Sequence, residues 1–133
     1  MADVVAAVAA VLASVPGRVV YSHGVPDRPV SEYFAVRSSA GEASSGNFAD
    51  AIDTRQAVVY VTSVSRRPDP ADAGWAASWG ADRAVTLLAG RRLDVGRASW
   101  MLQHVASQPT TRDDELPEVV MYAVDQFLCQ YQP

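Results

Sequence analysis

The sequence predicts an α+β domain: a mostly antiparallel sheet of about five strands with two helices packed on one face, in the order α-β-β-β-α-β-β. Three observations predict it. Two stretches carry apolar residues at helical spacing, and five others carry β-branched and aromatic runs or period-two alternation. Consecutive strands are joined mostly by short links, which favour antiparallel pairing.

Val4, Val5, Val8, Val11, Leu12 and Val15 form the stripe of an amphipathic helix, which Pro16-Gly17 ends. Residues 18–22 read as a short strand and 23–29, with Gly24, Pro26 and Pro29, as a turn. A second strand over 31–38 rests on Tyr33, Phe34 and Val36. The stretch 39–47 is Ser, Ala, Gly and Glu, cannot supply a core face, and is expected as a long exposed, mobile loop. The third strand, 54–65, contains the run Ala57-Val58-Val59-Tyr60-Val61-Thr62 and should be central in the sheet. Pro68-Asp69-Pro70 stops it. A second helix is expected over 71–89, with Gly90 as its C-cap and Arg91 and Arg92 near its negative end. Two further strands, 98–105 and 118–131, are separated by a polar linker, 107–117.

The chain has 133 residues, 49% hydrophobic and 20% charged, which suits a single soluble domain, 1–133. Disorder and a membrane span are both unsupported, because the charge is low and no apolar run approaches 20 residues. All eleven basic residues are arginine, so chemistry that needs a lysine ammonium is excluded. A net charge of −4 argues against broad phosphate-backbone binding. Cys129 stands alone, so no intrachain disulfide forms, and Asp3 replaces the basic start of a secretion signal.

On a helical wheel Ala73, Ala77, Ala81, Ala84, Val85, Leu87 and Leu88 share one face, which packs on the sheet. Trp75 and Trp79 fall on the opposite side with Asp72, Ser78, Asp82, Arg83 and Thr86. Two indoles one turn apart on a polar face predict a partner surface, with Asp82 and Arg83 beside them; the alternative is that a loop or the sheet covers them. Ser22, His23 and Asp27 resemble a nucleophile, base and orienting carboxylate only in composition. Adjacent strand residues point to opposite faces, and no nucleophile elbow accompanies them. His104 reads as a satisfied, partly buried residue, and no metal-ligand spacing is present. Asp113, Asp114 and Glu115 beside Arg112 read as a solvated run that would repel a DNA backbone if the loop lined a passage. Cys129 alternates with Phe127 and Tyr131 as a buried small hydrophobe, and Asp125 on that face calls for a partner such as Arg18 or Arg37.

The order of these segments resembles the tail terminator, or tail completion, proteins of long-tailed bacteriophages. The resemblance is carried by the opening helix closed by Val15-Pro16-Gly17 and by Val20-Tyr21-Ser22-His23-Gly24-Val25-Pro26 before Tyr33-Phe34-Ala35-Val36. The long third strand, the alanine-rich helix leading to Leu87-Leu88-Ala89-Gly90-Arg91, and the closing strand from Val119 to Phe127 complete it. It spans most of the chain, and its specificity lies in the combined pattern. It implies a structural virion protein at the tail-neck junction, assembled in the host cytoplasm. Six identical copies would form a ring capping the head-proximal end of the tail tube. Partners would be further copies, the major tail tube protein and a head-to-tail connector or stopper, with DNA only passing through the lumen. No cofactor and no catalysis are implied.

A ring closes through one heterologous contact repeated about an axis. Trp75, Trp79, Asp82 and Arg83 are the candidates for that contact. Glu42, Ser44, Ser45 and Asn47 in one loop, and Arg112, Asp113, Asp114 and Glu115 in the other, are the candidates to face the lumen or the tube. The rival readings are another neck component, a small hydrolase using His23 or His104, and a monomeric ligand-binding domain.

Overall fold

The computed structural model describes residues 3–39, 42–44 and 54–132. Helix α1 (Val4–Leu12) starts where the Asp3 carboxylate accepts the Ala6 amide at 2.9 Å, and it buries Val4, Val8 and Leu12. Strand β1 (Val19–Tyr21) pairs with β2 (Glu32–Ser38) in parallel, with Val20 opposite Phe34. Short links had favoured antiparallel pairing there; segment 22–31 instead carries the chain back far enough to restart in the same direction. Every other strand pair is antiparallel.

Strand β4 (Thr54–Arg66) is central, as its β-branched run predicts, with β2 on one side and β7 (Val120–Gln132) on the other. At its start β4 also pairs with β3 (Glu42–Ser44), so the expected loop over 39–47 contains a short strand. Its serine- and alanine-rich composition hid that strand, because an edge strand needs backbone pairing more than a core face.

The region after the second helix also differs from expectation. The predicted strand over 98–105 is broken into β5 (Ala98–Ser99) and β6 (Gln103–Arg112), both paired to β7. The break places Leu102 in the core, where its carbonyl accepts the Gly90 amide and its own amide donates to Arg91 O. Strand β6 extends through the first half of the predicted linker 107–117, leaving 113–119 as the turn into β7. Nearly all its side chains are exposed, so it has no apolar alternation to reveal it. Shifts in register around Val105 and Pro109 kink this edge and blunt it against further pairing.

Helix α2 (Pro70–Leu88) is capped by Asp69, whose carboxylate accepts the Ala71 amide, and is followed by Gly90 at φ +77°. Both helices lie on one face of the sheet. Ala73, Ala77, Ala84 and Leu88 are buried as the wheel predicts, joined by Ala76 and Gly80. Ala81, Val85 and Leu87 are half-buried. Between helices and sheet, Phe34, Val59, Val61, Phe127, Leu88 and Leu102 form the centre of the core.

Candidate functional site

The candidate interaction residues follow from how α2 seats on the sheet. The small residues Ala73, Ala76, Ala77 and Gly80 let the helix approach closely, and Gly80 decides how closely. A Cβ there would lie 2.5 Å from Arg18 Cζ. Arg18 is 8% exposed, and its guanidinium fills the gap between helix and sheet. It donates to Ser63 Oγ (2.8 Å), Ser65 Oγ (3.1 Å) and the carbonyl of Ala76, with Glu32 at 3.9 Å. Burial lowers the Arg18 pKa, and the Glu32 carboxylate opposes that. Glu32 is itself held by Arg67, whose Nε donates to it at 2.8 Å.

Trp79 closes this arrangement from outside. Arg18 lies 5.9 Å and Arg83 5.2 Å from its ring, so the indole is half-buried between two guanidiniums and packs on the core. One turn earlier Trp75 is 65% exposed. Asp72, Asp82 and Arg83 are also exposed on this side of the helix. The four residues expected as an interface therefore share one helix; Trp75, Asp82 and Arg83 are exposed, with Arg83 over the ring of the half-buried Trp79.

The two candidate loops do not come together. Glu42 and Ser44 lie in β3, at the start of β4, while Ser45 and Asn47 lie outside the described residues. Arg112 ends β6, and Asp113, Asp114 and Glu115 form the turn beside the other end of β4, where Val120 pairs with Arg66. Ser44 pairs with Thr54 and Glu42 with Gln56, so most of the length of β4 separates the two loops, about 33–40 Å at roughly 3.3 Å per residue. The Asp113 carboxylate accepts the Glu115 amide at 3.2 Å and shapes the turn.

Asp125, 3% exposed, is partnered by neither Arg18 nor Arg37. Arg18 is committed to β4 and α2, and Arg37 lies on the opposite face of the sheet, 4.3 Å from the Tyr60 ring. The partners are His104, whose Nε2 is 3.0 Å from Asp125 Oδ1, and Ser107, whose hydroxyl donates to the same oxygen. Both reach it because β6 pairs with β7 in this register. His104 was read from sequence as a satisfied residue but without its partner, and Ser107 was missed because the predicted strand ended at 105. The alternation of Phe34 and Val36 with Arg37 already placed Arg37 on the wrong face.

Serine, histidine and aspartate thus meet, but not as a catalytic triad. Ser107 Oγ and Asp125 both approach Nε2 of His104, whereas a triad places its serine and carboxylate on opposite ring nitrogens. With Nε2 donating to the carboxylate, the ring nitrogen that Ser107 approaches has no lone pair for the serine proton, and the lone pair on Nδ1 faces neither partner. The cluster satisfies a buried carboxylate. A cavity of about 580 Å³ lies beside it, between α2 and β6, where Ser78 and Thr110 hydrogen-bond at 2.7 Å. His23 and Asp27 are exposed in the segment after β1. Cys129 is fully buried, and burial pushes its thiol pKa up, as expected for a small core residue.

The other face of the sheet carries a second cavity of about 580 Å³. Its floor is Tyr33, Ala35, Thr62, Val64 and Tyr122; segment 24–30 forms one wall and Leu116 another. Tyr21 fixes the first wall: its hydroxyl accepts the Val30 amide at 3.3 Å, and its ring meets Tyr33 edge-on at 5.2 Å.

No protein-family model matches this chain, and no curated protein matches it in sequence. The fold does have a close counterpart among solved structures. A chain from the structure described as the virion of a native gene transfer agent (GTA) particle superposes with a TM-score of 0.72 at 15% identity, over 98% of this chain and 95% of that one.

Proposed function

We propose that the chain is a structural virion protein: a tail terminator that closes into a ring, six copies in the mature form, on the head-proximal end of a tail tube. The observation that carries this reading is the end-to-end fold likeness to a chain of a phage-like virion particle, with neither chain leaving a large part unmatched. The order of elements read from the sequence points the same way. Trp75, Asp82 and Arg83 are the exposed part of the proposed contact, and Trp79 backs them.

The separation of the two loops gives this reading a direction. With the β3 end and the acidic 113–119 turn about 33–40 Å apart, one end meets the tube and the other the connector or stopper. The carboxylates at the turn keep passing DNA from adhering.

The test is to polymerise purified tail tube protein with and without this chain and image the products. Tubes capped at one end by a ring of six copies, and limited in growth, are expected. Binding to the portal-side connector with no effect on tube growth would reassign the chain to another neck role. A single chain that ignores both would overturn the reading.

A further inference from the structure

The two ends of helix α2 carry opposite charge beside exposed apolar side chains. Near its start, Trp75 stands out into solvent with Asp72 one turn before it and Asp82 two turns after it on the same stripe. Neither carboxylate has a cationic partner among the described residues. Past its end, exposed Arg91 and Arg92 run antiparallel to exposed Trp100 and Met101. Arg92 bridges Met101, and the Arg91 carbonyl accepts the Leu102 amide at 2.8 Å. Neither arginine has a carboxylate partner among the described residues.

Resting on the ring reading above, we propose that these patches are the two halves of the contact between neighbouring copies. The Trp75 face of one copy lies against the Trp100 and Met101 face of the next, and Asp72 and Asp82 meet Arg91 and Arg92. The 19 residues of α2 span about 28 Å, so the patches cannot meet within one chain. Trp, Met and Arg are the residue types that interface cores favour, and seating the Trp75 indole would remove roughly 150 Å² from water.

The remaining charges near each patch leave its sign unchanged. On the Trp75 side, Arg83 lies over the Trp79 ring at 5.2 Å. Arg112 pairs with Met121 beside Gly74, and its strand runs straight on into Asp113, Asp114 and Glu115. Asp69, which caps α2, adds a further carboxylate. On the Trp100 side, Arg97 adds to the positive charge, and Asp94 in the same loop opposes it. Asp3 belongs to α1, which packs over β2, and Glu42 to β3, which pairs with β4 on the side away from β7 and β5. A two-fold contact fails on the same grounds. Trp75 against Trp75 would set Asp72 and Asp82 of one copy against those of the other, and Trp100 against Trp100 would set arginine against arginine. Unlike patches pair head to tail, and that contact repeated about an axis closes a ring.

Charge reversal in the full chain tests this. One variant carries Asp72→Arg and Asp82→Arg, the other Arg91→Glu and Arg92→Glu. Alone, each sets like charge against like around the ring and should need about 30-fold more protein, or more, to assemble on purified tail tube, the loss typical of one hot-spot residue. Mixed one to one, every basic face finds an acidic one. Assembly should then return to near the wild-type concentration, in rings that native mass spectrometry weighs as three copies of each variant, and this recovery also shows that both variants are folded. Trp75→Ala, at a position largely in water already, should show a similar loss that neither reversed variant restores. Assembly of any of these variants alone at the wild-type concentration, or a mixture that does not recover although both variants unfold at the wild-type midpoint, overturns the contact while leaving the ring reading standing. A wild-type chain that stays single even on the tube overturns both.

Discussion

Trp75 and Trp79 sit one helical turn apart on the same side of α2, yet they do different work. Trp79 rests between Arg18 and Arg83 and seals the buried guanidinium, whereas Trp75 projects into solvent among acidic residues. Helical periodicity treats them alike. The difference comes from Arg18, which enters from the start of β1 and reaches under the helix to Ala76 O, one residue after Trp75 but on the opposite side. A buried cation thus converts half of an exposed aromatic pair into structure and leaves the other half free for a partner.

The largest test of that division is Arg18→Met. It removes the cation but leaves Ser63, Ser65 and the Ala76 carbonyl buried without their donor, which should cost about 3–5 kcal/mol. Urea unfolding at fixed protein concentration would read the loss as a lower midpoint with an unchanged slope. Trp79→Ala should follow at about 2–3 kcal/mol, since it removes a half-buried ring and opens Arg18 to water. Gly80→Ala gives an independent check through sign. A glycine to alanine change inside a helix ordinarily stabilises by about 1 kcal/mol. Here the new methyl meets a guanidinium pinned by three partners, so a loss of about 1–3 kcal/mol is expected.

What the sequence could reveal follows the same line between buried and exposed. Both helices, the central strand and the closing strand were legible, because burying one face imposes a period on Val4 to Leu12, on Ala57 to Val61 and on Ala123 to Tyr131. Most of strand β6 was not, since an exposed edge imposes no period: only 103–105 fell in a predicted strand, and Ser107 was lost with the rest. Residues 23–29 were legible as a turn, but the return path of that segment, and so the parallel β1 and the cavity beneath it, depends on long-range packing. The Arg18 site was equally hidden: an arginine before a strand normally reads as surface, and nothing local announces that Gly80 leaves room for it.

Titration offers a smaller effect on the buried side. Burial raises the pKa of Cys129 on the helix-covered face and of Tyr33 on the other. For both, the neutral form is favoured in the folded chain, so their contribution is intact below the ordinary pKa and is lost as pH rises through the raised one. Stability should fall on the alkaline side, and Cys129→Ala should flatten part of that fall when unfolding midpoints are compared across pH.

The smallest effect should be Trp75→Ala on the isolated chain. Its indole is largely in water already, and none of the hydrogen bonds, ring contacts or cation contacts described within the chain uses it. Truncation should shift unfolding by no more than about 0.5 kcal/mol, the range of ordinary surface substitutions. The same change should remove the contact energy between copies, so thermal stability and assembly separate for Trp75 but fall together for Trp79. A loss of several kcal/mol in the isolated Trp75 variant would mean that this indole, like its neighbour, is held within its own chain, and the division between the two would collapse.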